Sequence, residues 1–150
     1  MKRYLILGVI AVVLAAAILL ALPLLKKDEP AQPAPDSLSR FMEGWSIGFV
    51  DDMLSACAPS WKAQQANPEL RLFQLMANRT VTAWNIGAPA RDGDALLYPV
   101  DVLLRNSAAQ NGGWQRCTLR VVTENDKQYV VPDGIAACEP VAAPKTYVAP

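Results

Sequence analysis

The sequence predicts an α+β domain carried behind a single membrane-spanning helix. Three observations predict it. Tyr4–Leu25 holds no charged residue. Apolar residues then recur at helical spacing as far as Met76. From Thr80 onward β-branched and aromatic residues take over, and Ala95–Arg105 and Trp114–Thr123 alternate with the period of strands. Helices followed by a strand meander indicate helices packed on one face of a curved antiparallel sheet of about four strands.

Tyr4–Leu25 is built of Leu, Ile, Val and Ala, with Gly8 early and Pro23 near its end. About 22 residues at 1.5 Å each span roughly 33 Å, enough to cross a hydrocarbon core of about 30 Å. A buried soluble helix would carry a polar stripe, and this run has none. The rival is a cleaved signal peptide, because Lys2 and Arg3 suit both. The run exceeds a signal core of about 7–15 residues, and Pro23-Leu24-Leu25-Lys26-Lys27 lacks the small-x-small cleavage pattern, so residues 1–27 are read as an anchor. No cysteine follows that would allow lipid attachment. Lys2 and Arg3 on one side nearly balance Lys26 and Lys27 on the other. A short N-terminus before a long polar domain is the signal-anchor layout, which places the domain outside the cytoplasm of a cell membrane crossed once.

Residues 28–35 form a linker whose Pro30, Pro33 and Pro35 favour an extended, semi-rigid chain. The domain is read as residues 36–140. Residues 141–150 repeat the Pro/Ala composition and are read as a flexible tail.

Within the domain, Asp36 or Ser37 caps a helix. Leu38, Met42, Trp45, Phe49 and Met53 form one apolar face, bent near Gly48. Asp51 and Asp52 restart the helix, Leu54 and Cys57 pack inward, and Pro59 stops it. Asn67-Pro68-Glu69 starts another helix: Asn caps, Pro suits the first position, and Glu complements the dipole. Its buried side is Leu70, Phe73, Leu75 and Met76, and it ends near Asn78. Thr80–Ile86 is a strand, and 87–93 a turn. In Ala95–Arg105, Leu96, Tyr98, Val100, Val102 and Leu104 share one face, while Pro99, Asp101 and Arg105 share the other. Pro99 implies an edge position or a bulge. After a loop at 106–113, Trp114–Thr123 alternates again, Asn125-Asp126 makes a tight turn, and Gln128–Val131 returns.

Composition excludes several function classes. Fourteen basic residues balance fourteen acidic ones, with no basic run outside the membrane flanks, so nucleic acid is not expected as a partner. The chain has no histidine, which removes the usual general base and the commonest metal ligand. No metal and no cofactor is expected. Asp101 is the one acid deep within a strand, and its parity turns it away from the core as a solvated or paired carboxylate. Asp51 and Asp52 are adjacent and point to different sides of a helix, so they form no dyad. Asp92-x-Asp94 lacks the further oxygens of a calcium loop. Asn78-Arg79-Thr80 matches a glycosylation sequon, a pattern that also arises by chance.

Of the three cysteines, Cys57 reads as a buried free thiol. Cys117 and Cys138 are candidates for a bridge in an oxidising compartment, and two free packed thiols fit the spacing equally well.

Phe41-x-x-Gly44-Trp45, then Gly48-Phe-Val-Asp-Asp52-Met-Leu54, then the helix opened by Asn67-Pro68-Glu69 and the strands resemble the cone-shaped nuclear transport factor two-like superfamily. The resemblance covers about Leu38 to Val131. It implies isomerase, hydratase, ligand-carrier or protein-binding functions, between which fold cannot choose. In layout the chain resembles the longer single-pass assembly factor of bacterial type IV secretion and conjugation machines.

Two readings follow. The preferred one is a non-catalytic interaction or scaffold domain whose partner is another membrane protein or a second copy. Trp114, Arg116, Thr118 and Arg120 offer it a surface of residue types found at hot spots or beside them, although an ordinary solvated sheet face looks the same. The alternative is a small apolar-ligand or isomerase-like pocket inside the cone, lined by Trp45, Tyr98 and Val100.

Overall fold

A computed structural model describes residues 33–77, 79–106 and 113–149, with Asn106 described in its backbone alone. The run read as an anchor and the stretch read as a linker up to Gln32 lie outside the described residues, as does Asn78 of the sequon. Among the described residues no helix is long and apolar enough to cross a membrane.

The domain is α+β, with helices packed on a curled antiparallel sheet. Helix α1 (Asp36–Ile47) buries Leu38, Phe41, Met42 and Trp45. It does not bend at Gly48 but ends there. Gly48 adopts φ 72°, and its N–H donates to the Gly44 carbonyl. The Phe49 N–H donates to the same oxygen at 2.8 Å. This left-handed cap resets the helical phase. Phe49, placed on the apolar face by a continuous count of threes and fours, is therefore 55% exposed.

Helix α2 (Val50–Ala56) buries Val50, Met53 and Ala56. Pro59 does more than stop it, because it opens a further short helix, α3 (Pro59–Ala63), in which Trp61 is buried. Proline suits that first helical position, where its missing N–H is an orphan in any case.

Helix α4 (Pro68–Met76) starts as expected, with the Asn67 side chain accepting from the Leu70 N–H at 2.9 Å. Its buried face is Leu72, Leu75 and Met76. Leu70 and Phe73 face outward, about half exposed. Two overlapping faces of this short helix are apolar, and packing selects the one containing Leu72.

The sheet runs β1 (Arg79–Ile86), β3 (Ala95–Asn106), β4 (Trp114–Glu124), β5 (Lys127–Val131). A short β2 (Ala90–Asp92) lies within the stretch read as a plain turn and pairs with Ala95–Leu97, on the edge of β3 that also carries β1. Likewise β6 (Glu139–Pro140) pairs with the edge of β4 that carries β5. Each outer row of the sheet is thus two strand pieces with a gap between them.

Pro99 sits opposite one such gap. Its carbonyl accepts from the Gly87 N–H at 2.8 Å, so its nitrogen also faces the break between β1 and β2, where no donor is needed. An interior strand tolerates proline here for that reason. The β4–β5 turn puts Asn125 at φ 51° and Asp126 at φ 60°, the left-handed pair that matches strand twist.

The inward residues of β3 and β4 alternate as expected. Tyr98, Val100, Val102, Cys117, Leu119 and Val121 join the helices in one core. Burying each large apolar side chain contributes about 1.5–3 kcal/mol.

Arg79 locks the layers together. Its guanidinium donates to the carbonyls of Leu75, Met76 and Ile135 at 3.0, 3.1 and 2.8 Å, and its own carbonyl accepts from the Trp45 indole at 3.0 Å. One residue thus holds the C-terminal end of α4, the C-terminal part of α1 and the turn after β5. A cation on the last carbonyls of a helix also complements its dipole.

Candidate functional site

The alternation of β4 fixes which side chains are on offer. Cys117, Leu119 and Val121 point into the core, so Trp114, Arg116, Thr118 and Arg120 lie on the opposite, outer face. The structure places all four on that face and shows what each one meets.

Arg116 is not free. Its guanidinium makes two hydrogen bonds to the Asp101 carboxylate, 2.6 and 2.9 Å long. This parallel pair is the strongest common form of side-chain hydrogen bonding. Asp101 faces away from the core as its parity requires, yet it is only 6% exposed. The Arg116 side chain is about half exposed and covers it. The hydrogen bond and the charge of Asp101 hold the Arg116 guanidinium more firmly protonated than usual. Register aligns Asn85, Asp101, Arg116 and Glu139 in one row across β1, β3, β4 and β6, so a second carboxylate stands opposite Arg116.

Trp114 is engaged as well. Its ring lies against Tyr147 with centroids 5.3 Å apart, and its carbonyl accepts from the Val141 N–H at 2.9 Å. Thr118 stands opposite Pro99, and Arg120 opposite Leu97. Both side chains are exposed.

The turn beyond β5 shapes one rim of this face. Pro132–Ala137 forms a 3-10 helix whose Ile135 is buried. Asp133 accepts from the Trp61 indole at 3.1 Å and pairs with Arg71 at 3.6 Å. Gly134 presses against the backbone of β4: a Cβ there would stand 1.8 Å from the Thr118 carbonyl oxygen. The chain then runs alongside β4, with Arg116 opposite Glu139, which brings Cys138 beside Cys117. Those two are disulfide-bonded, their Cα atoms 4.3 Å apart. Cys57 is a free, buried thiol, and desolvation pushes its pKa from the ordinary 9.0 up to about 12.

The pocket candidates behave differently. Trp45, Tyr98 and Val100 are at most 1% exposed and belong to the packed core. Burial also pushes the Tyr98 hydroxyl up in pKa. Two surface clefts lie elsewhere. One, of about 420 Å³, is bounded by Ser39 and Glu43 of α1, Trp84–Ile86 of β1 and Thr146–Val148. The other, of about 450 Å³, lies between the start of α1, Ser55 and Lys127–Tyr129. None of the three pocket candidates lines either cleft. Among the described residues no three Cys, Asp or Glu side chains converge as a metal site would require.

The feature that composition concealed is the tail. Residues read as flexible are tied at both ends: Val141 to Trp114, and Val148 to Trp84 through two backbone hydrogen bonds of 2.9 and 2.7 Å. The one sequence signal for it is Tyr147-Val148, two strand-forming residues in an otherwise Pro/Ala stretch.

No family model matches this chain, and neither do curated proteins or solved structures.

Proposed function

We propose that this chain is a membrane-tethered, non-catalytic interaction module: a cone-like α+β domain held at the outer face of a bacterial cytoplasmic membrane, where it acts as a scaffold within an envelope or secretion assembly. The tether rests on the uncharged run Tyr4–Leu25. The non-catalytic half rests on one observation, that Trp45, Tyr98 and Val100 are packed shut. A ligand-binding or isomerase-like cone needs those positions to bound an open cavity. The buried carboxylate Asp101 lies on the other face of the sheet and is already matched by Arg116.

The test is crosslinking in native membranes followed by identification of what is captured. The expected result is a protein resistant to salt and alkaline extraction and linked to a membrane protein or to a second copy. Recovery of a soluble form beginning near Lys26 overturns the tether. A domain that captures nothing, yet whose Tm rises with a small apolar molecule, overturns the scaffold reading in favour of the pocket.

A further inference from the structure

The tail sets Val148 as a single antiparallel bridge on the outer edge of β1, which no other described strand occupies, and it arrives there from the far side of the sheet. Its root is β6, paired with the outer edge of β4 and held covalently by Cys138. Its end is Val148, paired with Trp84 beyond β1. Trp114, Leu103 and Ala83 stand in one row across β4, β3 and β1, and the tail follows that row over the outer face, passing Tyr147 against Trp114.

The crossing leaves little slack. Four inter-strand steps cover about 19 Å at the usual strand spacing. The seven residue steps from Val141 to Val148 reach about 25 Å at full extension, and part of that is spent climbing over side chains. Among the described residues, no backbone hydrogen bond holds residues 142–146. The end itself is held by two hydrogen bonds and one ring contact, and Tyr147 and Val148 stay more than half exposed.

We propose that the β1 edge is a strand-acceptor site, and that the tail of a second copy of this chain fills it when two copies exchange residues 141–149. The occupant already in place states the chemistry: an extended segment with an aromatic residue for Trp114 and a β-branched residue beside Trp84. A second copy supplies that segment unchanged. Exchange keeps the pairing at Trp84, the ring contact and the disulfide-held root, and alters just the hinge, where Pro144 resists a tight return. Concentration and hinge strain therefore set the balance, and copies sharing one membrane surface are concentrated. The proposal names the partner and surface for the interaction module above and rests on that reading, but its test needs no membrane neighbour.

Deleting Ala142 and Ala143 from the full chain shortens the reach to about 18 Å, less than the crossing requires. In detergent solution the shortened chain is expected to form a dimer, measured by sedimentation, and to lose it when Val148→Pro removes the donor to Trp84. A monomer, or a dimer that persists when the chain is cut after Pro140, overturns the exchange. If the shortened chain fails to fold, a second measurement decides. A labelled peptide of residues 141–150 is expected to bind the chain cut after Pro140 saturably. It is expected to bind the full chain at least about tenfold more weakly, because there the attached tail competes at an effective concentration near the millimolar range. No binding to the cut chain, or equal binding to both, overturns the proposal. Either failure leaves capture of a different membrane protein intact as a result for the module itself.

Discussion

Strands β3 and β4 present two faces made of alternating residues of the same chain, and the faces are held by different physics. The inner face is apolar and dry, with Tyr98, Val100, Val102, Leu119 and Val121 filled in by the helices. The outer face is polar and is held by discrete links: the Asp101–Arg116 pair, the Trp114–Tyr147 contact and the tail's hydrogen bonds. Stability that comes from burial is spread over many side chains. Stability that comes from links sits at a few positions, so the outer face can be altered one link at a time without emptying the core.

Substitutions sharpen that contrast, and the largest effect is expected inside. Trp45→Ala removes a fully buried ring and the indole donor to Arg79, and should cost about 4 kcal/mol in denaturant unfolding. A loss below about 1 kcal/mol would mean that the interior is looser than its burial indicates. Cutting the link at the rim comes next. The Cys117→Ala, Cys138→Ala double variant opens a loop of sequence separation 21 and should lose about 3 kcal/mol, read in the same way. On the outer face, Val148→Pro removes one hydrogen bond and should cost about 1 kcal/mol, with the loss of protection from hydrogen exchange confined to Trp84 and the tail. Arg120→Ala should change stability by less than about 0.5 kcal/mol, since its side chain is exposed. An outer-face loss equal to the Trp45 loss would break the comparison.

Cys57 supplies a test by pH. Desolvation raises its folded pKa to about 12 from 9.0, so the folded state holds its proton where the unfolded state has released it. Stability from this group is therefore complete below pH 9 and is lost as pH rises from there toward 12. At pH 8 the folded chain should leave Cys57 unmodified by a thiol reagent, with one thiol appearing on denaturation. Rapid modification of the native protein would show that the site opens.

Much of this fold is legible in the sequence where a residue type has one local use. Asn67 before Pro68 can cap and does, and Asn125-Asp126 can turn left-handed and does. The alternation of β3 and β4 sorts their side chains correctly between faces. What escapes is whatever tertiary contact decides. Phe49, Leu70 and Phe73 fit an apolar face by count, yet they lie outside because Gly48 resets the phase and α4 chooses its other side. Pro99 suggests an edge or a bulge and instead sits opposite a gap that separates β1 from β2. The four outer residues of β4 are readable as a face, but their ties to Asp101 and Tyr147 join positions 15 and 33 residues apart, 116 − 101 and 147 − 114, which no local pattern reports. The tail escapes for the same reason. Pro/Ala composition describes a chain that has no core of its own, and this one borrows the edge of a sheet built far earlier in the sequence.

The disulfide at the root of the tail acquires a mechanical meaning when the chain is loaded. A pull on the last residues first meets the two hydrogen bonds at Trp84, which lie at the far end of the crossing. Their release frees the seven residue steps beyond Val141, a segment about 25 Å long at full extension. The force then arrives at Cys138, where a covalent bond passes it to Cys117 in the middle of the sheet. The β5 strand and the turn carrying Gly134 lie inside the closed ring and bear none of the load. The disulfide thereby withholds the segment between the two cysteines, a sequence separation of 21, from the length that a pull can draw out, and the strands before Cys117 take the force instead.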